Sequence, residues 1–177
     1  MPFPLGHTAV ALAVHETVSS KQNDSSRPGL LVYVTVLANL PDLDVVYGLI
    51  VQGNGDAFHR GPSHSLLFAL VAGYLASQLW RLWDKIPRLC WPVAAGLIFS
   101  HIAADMLLTR TAVSLFWPFE VYWSSGYSGW GDVMHTVVFK SLQDAGIVIV
   151  SLAYIFLLRH FRGSLQAFKR VAFDRKH

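Results

Sequence analysis

The sequence of 177 residues has little charge and almost no cysteine. Charged residues make up only 14% of it and hydrophobic residues make up 53%, whereas ordinary soluble domains carry about 25% charged residues. This composition excludes a disordered chain, a coiled coil and a charged shell around a water-soluble core. The single cysteine, Cys90, excludes an internal disulfide and a cysteine-based zinc site. The first residues lack a basic segment, so we do not expect a cleaved signal peptide.

The sequence also lacks a long, uninterrupted apolar run. A simple membrane span needs about 20 apolar residues. Five shorter or interrupted apolar segments can be recognised instead, at residues 5–18, 30–51, 65–80, 91–108 and 145–158. The second is interrupted around Pro41, which should end a helix there. The pattern predicts an all-α fold, a polytopic membrane bundle of four or five helices over residues 1–158. A basic amphipathic tail over residues 159–177 follows.

The few basic residues are unevenly distributed along the chain. If each segment crosses the membrane once, Arg60, Arg110 and Lys140 fall on one side and the other eleven of the fourteen Lys and Arg fall opposite. The positive-inside rule then predicts a membrane protein with a cytoplasmic C-terminus. The tail at 159–177 is expected to bind anionic membrane lipids, with docking to a protein or a nucleic acid as the less favoured alternative.

Histidine and aspartate interrupt the apolar segments. His101 and Asp105 are four residues apart in the fourth segment, so both lie on one helix face and could reach one metal ion. The alternative is a hydrogen bond that satisfies two buried polar groups. His7, near the start of the first segment, is a further candidate ligand or a hydrogen-bonded core residue. Segment alternation places these residues toward the non-cytoplasmic side.

Two carboxylates, Asp42 and Asp44, lie two residues apart in the second segment. One could bind a metal ion while the other orients a ligand or accepts a proton during catalysis. A helix stop with a capping aspartate is the alternative, and it would explain only one of the two.

The polar motif HRGPSHS, at residues 59–65, opens the third segment. Its glycine and proline predict a turn, with Ser63 as the N-cap of the next helix and His64 in or beside the first turn. His59 and His64 add two candidate metal ligands. Arg60 could neutralise phosphate charge during catalysis, or it could simply face lipid headgroups.

Residues 116–130 contain seven aromatic residues, among them Trp117 and Trp123. They predict an aromatic belt at the membrane interface, or the wall or lid of a site for a lipid-like substrate. Ser63 and Ser65 are further candidates for lining the site of that substrate.

Together, these candidates offer nitrogen and carboxylate ligands without a thiolate, which suits Zn²⁺ first and Mn²⁺ or Fe as alternatives. There are more of them than one tetrahedral ion needs, so we expect one or two divalent ions. Such centres activate water in phosphoester hydrolysis. The sequence therefore predicts a membrane-bound metal-dependent hydrolase of a phosphorylated, lipid or lipid-linked substrate. A metal or ion transporter and a non-catalytic membrane adaptor are the alternatives.

The order of these motifs resembles that of the YdjM-like inner-membrane proteins. The matching elements are Gly6-His7, LPDLD at 40–44, HRGPSHS at 59–65, SHIAADMLLT at 100–109 and WPF at 117–119. Ser63 stands where that family usually has threonine, and the hydroxyl is retained. The resemblance implies a metal-dependent hydrolase bound to the bacterial inner membrane.

A fainter resemblance is to the zinc-dependent phospholipase C and P1 nuclease group, whose ligands follow a similar order of histidines and aspartates. That group has a further histidine and glutamate downstream, where this chain offers only Asp132 and His135.

Overall fold

The computed structural model describes residues 4–19, 28–108, 112–119, 121–122 and 130–174, and within helices it leaves the side chains of 108, 130–143 and 167–174 undescribed. The regular elements of this part are helical, which confirms the predicted all-α class. They are α1 (Pro4–Val18), α2 (Pro28–Asn39), α3 (Leu43–Gln52), α4 (Leu66–Gln78), α5 (Trp91–Leu108) and α6 (Trp130–Asp174). Two 3₁₀ turns cover Pro62–His64 and Leu79–Arg81.

The second apolar segment is broken at the predicted proline. α2 ends at Asn39 and α3 begins at Leu43, and the two helices are bent by 55°. Pro41 causes the break because it has no N–H to donate and its ring clashes with the preceding turn. Asp42 occupies the N-cap position of α3 but makes no side-chain capping hydrogen bond. Its carboxylate therefore does not serve as a cap.

Contacts between helices show which helix ends lie together. At one end of the bundle, Arg159 of α6 pairs with Glu16 near the end of α1. At the other end, the ring of His101 in α5 contacts the carbonyl of Ala38 near the end of α2, and it also contacts His64 just before α4. Four parts of the bundle therefore meet at one place, namely the start of α1, the end of α2, the start of α4 and the second half of α5.

Small residues line the contact between α4 and α5, and large apolar residues of α4 face outward. Ala69 and Gly73 are buried, whereas Val71 and Leu75 are exposed. A Cβ added to Gly73 would lie 2.5 Å from backbone atoms of Ala95, so the two helices touch at this glycine. Small residues inside and large apolar residues outside are typical of helices packed within a membrane.

One helix in the described part is long and apolar enough to cross a membrane by itself, the stretch Asp144–Gln166 of α6. The bent pair of α2 and α3 passes the same test only when both are counted together, and α4 and α5 are apolar but shorter. The predicted count of four or five membrane helices is therefore not confirmed. α6 also continues without a break past residue 158, so the predicted boundary between the bundle and the tail falls inside one helix.

Candidate metal centre

The seven predicted histidine and aspartate ligands meet where α1, α2, α4 and α5 converge. They form three overlapping groups, namely His7/His101/Asp105, Asp42/His64/His101 and Asp44/His59/His64. Within each group the candidate ligand atoms all lie within 4.8 Å of one another. Residues that are far apart in the sequence are thus brought together by the packing of four helices.

The spacing of the central ligand atoms fits a metal ion. His101 Nε2 lies 3.3 Å from both His64 Nε2 and Asp42 Oδ1. The carboxylate of Asp105 lies 3.5 Å from His7 Nε2 and 3.6 Å from His64 Nε2. Ligand atoms at about 2.0–2.1 Å from one tetrahedral zinc ion would be about 3.3–3.4 Å apart, so these separations match the edges of such a site.

Hydrogen bonding determines which ring nitrogen of His101 is available. Its Nδ1 lies 2.7 Å from the carbonyl oxygen of Ala38. Because a carbonyl only accepts, Nδ1 carries the proton, and the lone pair of Nε2 points into the centre. The ring of His7 stacks on that of His101 at 3.7 Å, and both nitrogens of this fully buried His7 make no hydrogen bond within the described part of the chain. A metal ion would bind one of these nitrogens, Nε2, which lies 3.5 Å from Asp105, and would offset part of the cost of burying the ring.

The Asp44 carboxylate orients the loop that carries His64. One oxygen accepts from Nδ1 of His59 at 3.0 Å, and the other accepts from the backbone N–H of Arg60 and from the hydroxyl of Ser63. The second oxygen also lies 3.2 Å from Nδ1 of His64. His64 thus contacts two carboxylates, Asp44 through Nδ1 and Asp42 through Nε2, the latter at 3.6 Å. With Nδ1 engaged by Asp44, Nε2 of His64 is directed at the centre.

Arg60 is buried beside the centre rather than turned outward toward lipid headgroups. Its Nε lies 3.5 Å from Asp105 Oδ2, and its φ of 67° lies in the left-handed region, which costs a residue with a Cβ about 1–2 kcal/mol. Two backbone hydrogen bonds hold it there, from its own N–H to Asp44 and from the N–H of Ser114 to its carbonyl. The N–H of Leu66 donates to the carbonyl of Leu115, so residues 113–115 brace the loop at residues 59–65.

The predicted N-cap at Ser63 was wrong, because Ser65 caps α4. The hydroxyl of Ser65 accepts from the N–H of Phe68 at 3.1 Å and donates to the carbonyl of Pro62 at 2.7 Å. The proline starts a 3₁₀ turn, which delays the first α-helical residue to Leu66. Ser63 instead donates to Asp44, so both predicted substrate-lining hydroxyls have partners within the fold.

The other predicted site residues lie outside the centre or outside the described residues. Trp117 is partly exposed, on the segment that follows the brace at 113–115. Trp123 lies outside the described residues, as do the side chains of Asp132 and His135.

Sequence reasoning missed the residues that fix the opposite end of α1. Both carboxylate oxygens of the buried Glu16 accept from the guanidinium of Arg159, at 2.9 and 3.0 Å. Arg162 donates to the carbonyls of Glu16, Thr17 and Ser19, which end α1. Glu16 is the only acidic residue of the first apolar segment, and that was the available signal. The sequence predicts the two arginines as an orientation signal and as part of a lipid-binding tail, and in the structure they contact the end of the helix that carries His7.

Comparison with known proteins agrees with the motif pattern. No solved structure matches the chain. The inner membrane protein YbcI of Escherichia coli (strain K12) is 34% identical over 123 residues, which cover 68% of this chain and 69% of that protein. The model of the YdjM inner membrane protein family matches residues 1–168, a range that includes every candidate ligand. The chain therefore belongs to the YdjM inner membrane protein family.

Proposed function

We propose that this protein is a membrane-bound metal-dependent hydrolase that cleaves a phosphoester. One observation carries the proposal, the convergence of His7, His64, His101, Asp42 and Asp105 at separations of 3.3–3.6 Å. The imidazoles of His64 and His101 are oriented by hydrogen bonds to groups outside this set, as in protein metal sites. The buried His7 adds support, because its Nε2 has no hydrogen-bond partner among the described residues and lies 3.5 Å from the Asp105 carboxylate, where a metal ion would occupy it.

His7, His101 and Asp105, whose ligand atoms lie within 4.8 Å of one another, would hold the ion, with Zn²⁺ as the first candidate and Mn²⁺ or Fe as alternatives. His64, whose Nε2 lies 3.6 Å from the Asp105 carboxylate, would supply the fourth ligand. When bound, the ion would supply a Lewis acid that activates water and polarises a phosphoryl oxygen.

The remaining polar residues would serve in proton transfer, in neutralising phosphate charge and in positioning His64. Asp42 is the most exposed of the three site carboxylates, at 20% against 8% for Asp44 and 0% for Asp105, and it would accept the proton of the attacking water. The guanidinium of Arg60 would offset the phosphate charge. Asp44 and His59, expected from the sequence as catalytic or metal-binding residues, would instead hold His64 in place.

We further propose that the chain crosses the inner membrane several times with a cytoplasmic C-terminus. The contacts of Arg159 and Arg162 with the end of α1 support this arrangement, because they gather basic residues at the end of the bundle opposite the metal centre. The centre then lies toward the non-cytoplasmic side, where the substrate would be a phosphorylated, lipid-like molecule.

Elemental analysis of the detergent-purified protein tests the metal centre. After metal-replete expression, the wild type should contain at least about one divalent ion per chain, the number that one tetrahedral site requires. His101→Ala and Asp105→Asn should lose it. The matched controls are His160→Ala, which alters an exposed histidine of α6, and Asp56→Asn, which alters an exposed loop carboxylate. A wild type free of metal, or retention of metal in the two centre variants, would contradict the proposal.

Hydrolysis is tested with a panel of phosphomonoesters, phosphodiesters and phospholipids, by measuring released phosphate or alcohol. Asp42→Asn should keep its metal yet lose turnover by about 10²-fold or more, as expected for removal of a general base. If the metal-loaded wild type turns over none of these substrates, the hydrolase assignment fails.

A metal or ion transporter is the second candidate, because a helix pair broken beside a ligand is typical of transporters. α2 and α3 are broken next to Asp42. Ion flux into proteoliposomes separates the two functions. Flux that disappears in His101→Ala, without hydrolysis by the wild type, would favour transport.

A further inference from the structure

We propose that α3 lies inside the non-cytoplasmic leaflet of the membrane beside the metal centre, and that the centre acts on a lipid phosphoester drawn from that leaflet. The depth of α3 is argued from the fold and its leaflet from the proposed orientation of the chain, whereas the substrate class rests on the proposed hydrolase function.

The surface of α3 is apolar and almost completely uncovered. Gly48 is its only buried residue. Six large apolar residues of this ten-residue helix are each at least half exposed, namely Leu43, Val46, Tyr47, Leu49, Ile50 and Val51, and Ile50 reaches 79%. At about 100° per residue these six side chains cover an arc of about 200° around the helix axis, and Asp44, Gly48 and Gln52 lie on the remaining face. An exposed arc this wide that carries only apolar side chains is expected within an apolar solvent, because a helix exposed to water would show polar residues there.

The lengths of the helices place α3 at membrane depth. α2 has 12 residues and is therefore about 18 Å long, well short of the hydrocarbon core of about 30 Å. The 10 residues of α3, bent by 55° from α2, add about 9 Å along the same direction. Together they reach about 27 Å. The pair thus fits the hydrocarbon core as one broken span, with Asp42 and the metal centre about two thirds of the way across.

The chain turns back at a polar tip just beyond α3. Gly53 ends the helix in the left-handed conformation, with φ of 66°. Asn54 and Asp56 are exposed, and the Asn54 side chain accepts a hydrogen bond from the N–H of Asp56 at 3.0 Å. A polar turn at this height would meet water at the membrane surface. From there residues 57–64 run back to the centre, and this segment contains His59 and His64.

The outward faces of α4 and α6 are apolar and exposed like that of α3. Leu75 and Phe156 on them are also more than half exposed. α6 includes the one stretch of the described chain that can cross a membrane by itself. The same environment, lipid acyl chains, therefore accounts for all three faces. An apolar cavity of about 430 Å³ between α1 and α5, lined by Val14 and Phe99 among others, offers space for an acyl chain within a few residues of His101. A lipid phosphoester thus matches both the depth of the centre and its surroundings.

Fluorescence quenching in vesicles tests where α3 lies. In a Cys90→Ser background, Ile50→Cys is labelled with an environment-sensitive dye, and Asn54→Cys at the tip serves as the matched control. Both are reconstituted into phosphatidylethanolamine and phosphatidylglycerol vesicles with doxyl groups on the acyl chains. We expect the label at 50 to be strongly quenched by the doxyl lipids, and the label at 54 to be quenched by aqueous iodide.

Iodide quenching at position 50 would overturn the proposed position of α3. A blue-shifted label at 50 that the doxyl lipids do not quench would also overturn it, since it would show that protein covers α3, either another segment of this chain or a second copy.

A charged substitution on α3 tests the substrate class. Leu49→Asp should reduce hydrolysis of phosphatidic acid vesicles at least tenfold while metal content and hydrolysis of soluble p-nitrophenyl phosphate stay unchanged. Equal losses on both substrates, or a wild type that prefers the soluble ester, would overturn the lipid assignment. A wild type inactive on both would end the hydrolase proposal, and the quenching result would still decide the position of α3.

Discussion

The contact between α4 and α5 at Gly73 sets the relative position of two proposed metal ligands, and replacing this glycine should disturb both stability and the site. In Gly73→Ala the new Cβ would lie 2.5 Å from the N and Cα atoms of Ala95 and 2.7 Å from its Cβ. Carbon atoms pack at about 3.5–4.0 Å, so the two helices must separate by about 1 Å. Overpacking of this kind costs about 1–3 kcal/mol. The better helix propensity of alanine offsets less than about 1 kcal/mol of this destabilisation.

The expected net loss of about 1–2 kcal/mol lowers Tm by about 2–8 °C in a chain of this size. The same displacement moves His64, which precedes α4, relative to His101 on α5, where their Nε2 atoms are now 3.3 Å apart. Gly73→Ala should therefore also bind metal more weakly. Thermal unfolding in detergent, followed by tryptophan fluorescence, measures the first effect, and titration against a chromogenic chelator measures the second.

The matched control is Gly96→Ala on α5, one residue from Ala95, where an added Cβ meets no atom within 4 Å. We expect its Tm to be unchanged or slightly raised, because alanine favours the helix by up to about 1 kcal/mol. If Gly73→Ala is as stable as Gly96→Ala and binds metal equally well, the close approach of α4 and α5 is refuted.

Three further predictions concern single contacts. Asp44→Asn should weaken metal binding about 10–100-fold by releasing His64, and the reasoning fails if chelator titration gives wild-type affinity. Arg159→Ala should lower the free energy of unfolding by about 2–3 kcal/mol, because it leaves the buried Glu16 without its main partner. The loss should be smaller in a Glu16→Gln background, and equal losses in both backgrounds would contradict this explanation. Ser65→Ala should cost about 1 kcal/mol through loss of the α4 cap, whereas an unchanged Tm would show that the cap contributes nothing.

The apolar pattern of the sequence was sufficient to predict α1 to α5 but not the full extent of α6, because apolar residues dominate the first four segments and proline disrupts a helix through its own covalent structure. The break at Pro41 follows from that local chemistry. The candidate ligands could also be named in advance, since ionisable residues inside apolar segments are costly and need a reason to be there.

Long-range contacts could not be predicted in this way. α6 continues without a break through residue 159, where Arg159 and Arg162 contact the end of α1, and the two partners are more than 140 residues apart in the sequence. The 3₁₀ turn at Pro62–His64 moves the N-cap to Ser65, and Ser63 donates instead to Asp44, which only the fold brings within reach.

The sequence by itself determined the helical class, the break in the second segment and the set of histidines and aspartates, because each is a matter of local composition and spacing. Only the tertiary structure distinguished Asp42 from Asp44. The two are chemically identical and two residues apart, yet the loop at 59–64 folds over Asp44 and occupies both of its oxygens, which leaves Asp42 facing the centre. Which nitrogen of His64 or His101 is available was likewise decided by groups that only the packed helices bring within hydrogen-bonding distance.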